Sequence, residues 1–167
     1  MEAKFLNAVL RTESKNSPHT GKPFTQDERW DHAIMSMVTE VGEIVDIFKK
    51  HTFYGKPLDR VHLMEECGDL LWYIGLGALT EGMIAISPCI RMEPVLRNEP
   101  WTPMLEALKS LSSAATREDA IVGVFKCTRS MIEWHDFDYN DVLDANIAKL
   151  EARYPEKFTT DCALNRE

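Results

Sequence analysis

The chain has 167 residues, 44% of them apolar and 28% charged, which suits a single domain with a real core and excludes a disordered segment or a fibrous repeat. Its net charge of -8 removes the electrostatic footprint of a general nucleic-acid binder. Binding a phosphorylated small molecule would therefore require metal ions or a local cluster of Lys and Arg.

Almost everything periodic repeats at 3.6 residues, and no strand pattern of comparable strength is present. Phe5, Leu6, Val9 and Leu10 predict a short first helix, followed by a loop over residues 14–24 with Pro18, Gly21 and Pro23. Thr25 to Glu28 is a capping-box pattern that opens a second helix. Its core face would carry Ile34, Met37, Val38, Val41, Ile44, Val45 and Phe48, and it would run to about His51, before Gly55 and Pro57. Asp59 can cap a third helix through Leu63, Leu70, Leu71, Ile74 and Leu79, with Gly82 near its end. Pro88, Pro94, Pro100 and Pro103 then mark an irregular excursion over residues 87–101. Thr102 reads as an N-cap with Pro103 at the first helical position of a helix to about Ala114. Thr116 to Asp119 starts another helix, ending near Trp134, and Asp138 caps a last one through Val142, Leu143, Ile147 and Leu150 that Pro155 ends. The expected fold class is all-α, a helical bundle in one domain.

Cys67, Cys89, Cys127 and Cys162 are scattered, with no CxxC pair. The opening residues lack the basic-then-apolar layout of a signal peptide, and the longest apolar run, residues 70–86, contains Glu81. A cytoplasmic protein with free thiols and no membrane span is the expectation.

The informative feature is the placement of acids on the second and third helices. Glu40 and Glu43 are three apart, as are Glu66 and Asp69, so each pair shares one helix face. Each pair is also set in the edge of an apolar stripe: Glu40 follows Met37 by three, and Asp69 precedes Trp72 by three. Burying carboxylates costs several kcal/mol each, roughly, unless something compensates. The two helices offer no equal set of inward cations, whereas hard divalent cations such as magnesium or manganese prefer this oxygen donor set. Gly42 and Gly68 each lie inside a pair, where glycine costs roughly 1 kcal/mol, and a close approach of the two backbones would account for them. A single such pair is an ordinary helix-surface feature; two on successive helices point to a metal cluster. Glu65 and Asp46 fall on solvated faces. A di-iron bundle would need Glu-x-x-His on paired helices, and none of the five histidines completes it, Asp59-x-x-His62 being the nearest.

These residues resemble a known family. Thr39-Glu40-Val41-Gly42-Glu43, followed by Glu65-Glu66-Cys67-Gly68-Asp69-Leu70-Leu71-Trp72-Tyr73, is similar to the ExxE…ExxD signature of the MazG-like all-α nucleoside triphosphate pyrophosphohydrolases. Three further segments resemble the small MazG-like proteins of bacteriophages and bacteria. They are His32-Ala33, then Phe48-Lys49-Lys50 with Phe53-Tyr54-Gly55-Lys56, and Asn146-Ile147-Ala148-Lys149-Leu150 through Arg153-Tyr154-Pro155-Glu156-Lys157-Phe158. The resemblance covers roughly residues 25–82 and 138–166. Many relatives carry Glu where this chain has Thr39, and residues 85–137 are longer than the connection in compact members.

The resemblance implies a MazG-like bundle of four core helices, with two extra helices in the insertion. It implies hydrolysis of an NTP or dNTP to the monophosphate and pyrophosphate, in nucleotide-pool control. Glu40, Glu43, Glu66 and Asp69 would hold Mg2+, with Mn2+ as a substitute, and one glutamate would accept the proton of the attacking water. A homodimer or homotetramer is implied as well. Asn146, Lys149 and Arg153, each one turn from the next, form a polar stripe suited to phosphate oxygens or to solvent. Lys50 is a phosphate candidate, although Lys49 and Lys50 also suit the end of a helix dipole. Trp30, Trp72 and Tyr54 could stack on a base or serve as core, His32 is open in the same way, and Cys67 reads as small and apolar. Two other readings stand beside this one: a narrow-specificity dUTPase-like or dCTPase-like all-α hydrolase, and a non-enzymatic helical module that binds metal.

Overall fold

The computed structural model describes residues 1–83 and 99–155. Most of the irregular excursion expected at 87–101, Cys89, Cys162 and the end of the C-terminal match (Glu156, Lys157, Phe158) lie outside these residues. The described chain forms six helices: α1 (Ala3–Thr12), α2 (Gln26–Tyr54), α3 (Arg60–Thr80), α4 (Thr102–Ser113), α5 (Arg117–Trp134) and α6 (Tyr139–Arg153). Among the described residues the sole β feature is an isolated bridge between Asn16 and Pro23 in the α1–α2 loop. The fold is all-α.

Side-chain caps set most of the helix starts. Thr25 accepts from the Glu28 amide while Glu28 Oε2 accepts from the Thr25 amide at 2.8 Å, so two orphan donors at the head of α2 are satisfied together. Asp59, Thr116 and Asp138 accept from the first-turn amides of α3, α5 and α6. At α4 the expectation is corrected: the N-cap is Trp101, without a side-chain bond, and Thr102 is already helical. The Thr102 amide bonds instead to the Glu99 carbonyl at 3.0 Å, so a backbone turn does the work of a hydroxyl cap. Helix α2 continues three residues past His51, to Tyr54, and stops at Gly55, whose φ of 68° is the left-handed conformation that a helix C-cap needs.

The short α2–α3 connection makes an αα-hairpin, with α2 packed most extensively on α3. Helix α3 is the centre of the molecule: α1, α2, α5 and α6 all pack on it, and it is apolar nearly all round. Its core partners include Phe5 and Val9 of α1, Met37, Val41 and Ile44 of α2, and Ile121 and Val124 of α5, all essentially inaccessible. Helices α4 and α5 pair with each other and lean on α2 and α3. They contribute to the core, and Met104, Ala107, Met131 and Ile132 are fully buried. The sequence-derived core face of α2 needs one revision, because Val38 is 44% exposed and the buried positions are Trp30, Ala33, Met37, Val41, Ile44, Ile47 and Phe48. Leu10 of α1 is exposed as well. Among the described residues, no helix is long and apolar enough to cross a membrane.

Candidate metal centre

Pairing α2 with α3 brings the two acidic pairs together. Ligand oxygens of Glu40, Glu66 and Asp69 lie within 4.8 Å of one another, and so do those of Glu43 and Glu66 with a ring nitrogen of His62. Glu66 belongs to both groups and is the most buried of the four acids, at 7% exposure. Its Oε1 meets His62 Nε2 at 2.7 Å across one turn of α3. Sequence reading did not connect His62 with the acids, although its i, i+4 spacing to Glu66 was the available signal.

Electrostatics records the crowding. Glu40 is pushed up to about 8, first by burial, then by its hydrogen bond with Glu66 and the charges of Asp69, Glu66 and Glu43. Glu43 is also raised, by burial first and the Glu66 charge second, while His62 opposes the shift. Cys67, fully buried beside Glu66, is pushed up to about 12 by desolvation, so it remains a thiol and a small apolar filler.

From the facing helix α6, Asn146 Nδ2 donates to Asp69 Oδ1 at 2.7 Å, and Lys149 Nζ reaches both Asp69 oxygens at 2.6 and 2.5 Å. Two of the three residues of the expected stripe, Asn146 and Lys149, therefore reach the cluster, on a carboxylate. Gly68 is what lets α6 approach: a Cβ there would sit 3.1 Å from Asn146 Cβ and 3.2 Å from its Nδ2. This replaces the expectation that Gly68 and Gly42 bring α2 and α3 together, since a Cβ on Gly42 would meet nothing within 4 Å. Arg153 lies farther along α6, its guanidinium 5.6 Å from the ring of Tyr154. Lys50 is not brought to the cluster: with Lys49 it pairs with Asp46, at 2.5 Å for Lys50, in keeping with the helix-end reading.

Glu40, Glu43, Glu66 and Asp69 open on a cavity of about 720 Å³. Lys149 and Arg153 also line it, as do His32, Trp72, Tyr73 and Phe24. The aromatic part is held in place: Trp72 Nε1 donates to the buried Thr12 Oγ1 at 2.9 Å, and the rings of His32 and Tyr73 meet edge to face at 5.7 Å. Trp30 is core and Tyr54 is exposed; neither lines the cavity.

The donor set fits a hard divalent cation. Asp69 has the ammonium of Lys149 and Glu66 bonds to the ring of His62, but among the described residues Glu40 and Glu43 have no cationic partner in an ion pair. Asn146, 3% exposed, also leaves its Oδ1 buried with no hydrogen-bond partner, an acceptor still open next to Asp69. Carboxylates in excess, one of them raised to about 8 by burial first and then by its neighbours, together with an open acceptor, suit magnesium or manganese bound by oxygen. No protein-family model matches the chain, and comparison with curated proteins and with solved structures finds no significant match either.

Proposed function

We propose that the chain is a magnesium-dependent nucleoside triphosphate pyrophosphohydrolase of MazG-like type. The observation that carries this reading is the meeting of both acidic pairs, from α2 and α3, in a cavity that Lys149, Arg153 and a group of aromatic rings also line. Its volume, about 720 Å³, falls in the usual range for small-molecule sites. The resemblance of the acidic pairs to the ExxE…ExxD signature supplies the nucleotide.

Magnesium, when bound, would neutralise triphosphate charge and acidify the attacking water. Glu40, Glu43, Glu66 and Asp69 are the residues that would hold it. Asn146 and Lys149 fix the orientation of Asp69, and Arg153 offers a guanidinium to phosphate oxygens at the cavity wall. Trp72, Tyr73 and His32 give a base flat surfaces away from water. A glutamate takes the water's proton, the oxygen bonds to phosphorus, the phosphoanhydride bond breaks and pyrophosphate leaves. Assembly as a homodimer or homotetramer belongs to the same reading. Light scattering checks it.

The test is a panel of the eight common NTPs and dNTPs with magnesium and with manganese, monitored for pyrophosphate and orthophosphate separately. Pyrophosphate from at least one nucleotide is the expected result. Release of orthophosphate alone, or no turnover across the panel, overturns the proposal. Glu43→Gln separates an enzyme from a metal-binding module, since the enzyme loses turnover with its helical circular dichroism intact.

A further inference from the structure

His62 gives one side of the cluster a chemical character that the other lacks. The inner group, Glu40, Glu66 and Asp69, offers only oxygen. The outer group, Glu43, His62 and Glu66, offers two carboxylates and an imidazole nitrogen, again within 4.8 Å of one another. Glu66, buried and common to both, has two carboxylate oxygens and so can face a cation on each side. Glu43 and His62 are exposed at the side chain, so both can turn toward an ion without disturbing the core. Two metals bridged in this way in phosphate-processing sites lie about 3.5–4 Å apart, the spacing that one shared carboxylate supports.

We propose that Glu43, His62 and Glu66 form a second, mixed nitrogen–oxygen cation site that selects a divalent transition metal, of the cobalt or zinc class, over magnesium. Imidazole is a ligand for transition metals, whereas magnesium prefers oxygen and gives up its water reluctantly. The all-oxygen group beside it keeps the preference for magnesium. The chain thus presents two adjoining sites of different hardness, and His62 sets the difference. An ordinary helix-surface pair of His62 with Glu66 is the competing account, and such a pair contributes little. The inference rests on the acidic cluster binding cations, as the proposed function does, but not on nucleotide hydrolysis.

The experiment uses the full chain without a histidine tag, stripped of metal and titrated with Co2+ by calorimetry in the absence and presence of excess Mg2+. Proton NMR of the cobalt-loaded protein is the second readout. Wild type is expected to hold a cobalt ion that magnesium does not displace, with a strongly shifted, exchangeable imidazole N–H signal. His62→Ala is expected to lose that signal and to bind cobalt about tenfold or more weakly, since even partners behind a ligand cost that much. Its magnesium affinity is expected to stay within about twofold of wild type. Full displacement of cobalt by magnesium, or no shifted imidazole signal in wild type, overturns the proposal. Equal weakening of cobalt and magnesium in His62→Ala also overturns it, because His62 would then only position Glu66. If the nucleotide panel is silent while the cobalt results hold, hydrolysis falls and the mixed site stands.

Discussion

Lys149 reaches from α6 to both carboxylate oxygens of Asp69 on α3, at 2.6 and 2.5 Å, across 80 residues of sequence. Its side chain and that of Asp69 are 35% and 29% exposed, so the pair contributes at most about 1 kcal/mol to folding. Its larger effect is to hold Asp69 in one orientation. Lys149→Met is therefore expected to change thermal stability little but to raise the magnesium concentration needed for half-maximal pyrophosphate release by about tenfold. If the magnesium midpoint is unchanged and only the nucleotide KM rises, Lys149 is a substrate contact and not a positioning residue.

The two glycines within the acidic pairs are expected to behave in opposite ways. Gly42 has open space where a Cβ would go, so Gly42→Ala should stabilise α2 by roughly 0.5–1 kcal/mol. Gly68→Ala would gain the same helix propensity but press on Asn146, which is buried and tied to Asp69 and cannot easily yield. Net destabilisation and weaker magnesium binding are expected. Urea midpoints for the two variants decide it; equal stabilisation would mean that Asn146 moves aside freely.

Glu40 also makes stability depend on pH. Its carboxyl is raised from 4.5 to about 8, so between those values the folded state binds more protons than the unfolded state. Stability from this group is present below about pH 4.5, falls as pH rises and is gone above about 8. Glu43 acts in the same sense. His32 and His135, both lowered mainly by burial, act oppositely below about 6.5. The difference between metal-free wild type and Glu40→Gln isolates the carboxylate. That variant should gain in relative melting temperature as pH rises, and magnesium should remove most of the gain. A pH-independent difference would exclude the carboxylate cluster as its source.

Trp72→Phe removes the donor that meets Thr12 Oγ1, a hydroxyl on a residue 2% exposed that itself donates to the Ala8 carbonyl at 2.8 Å. About 1 kcal/mol should be lost from the hydrogen bond, with a further packing loss from the smaller ring. A double-mutant cycle with Thr12→Val by chemical denaturation should show coupling, whereas additive effects would mean that the bond contributes nothing.

What was legible in the sequence was local. The capping box of Thr25 and Glu28, and the Asp59, Thr116 and Asp138 caps, depend on neighbours three residues away or closer, and the structure has each of them. The acidic pairs were legible because i, i+3 spacing fixes a shared face before any tertiary contact forms. Val38 was misplaced because an apolar stripe on a 29-residue helix drifts around the axis, and the packed face passes through Val41 and Ile44. Thr102 was misread because the turn ahead of it supplies a backbone acceptor that no pattern encodes. The attachment of Asn146 and Lys149 to Asp69 spans 77 and 80 residues, and no spacing rule reaches so far. His62 differs from these: its partner is one turn away, and a search for histidine at i, i+4 from an acid would have found it.

None of the described residues of α4 and α5 lines the cavity, yet α5 forms the backing on which α3 rests. The sequence is thereby divided between positions that fix chemistry and positions that fix only volume. Replacements at Ile121, Val124 or Met131 that conserve bulk should leave the carboxylates where they are, so α5 should tolerate such changes better than the acid-bearing faces of α2 and α3. The same separation offers a place for a reporter: a fluorophore on the exposed Lys109 would move with the bundle without touching whatever the cavity holds.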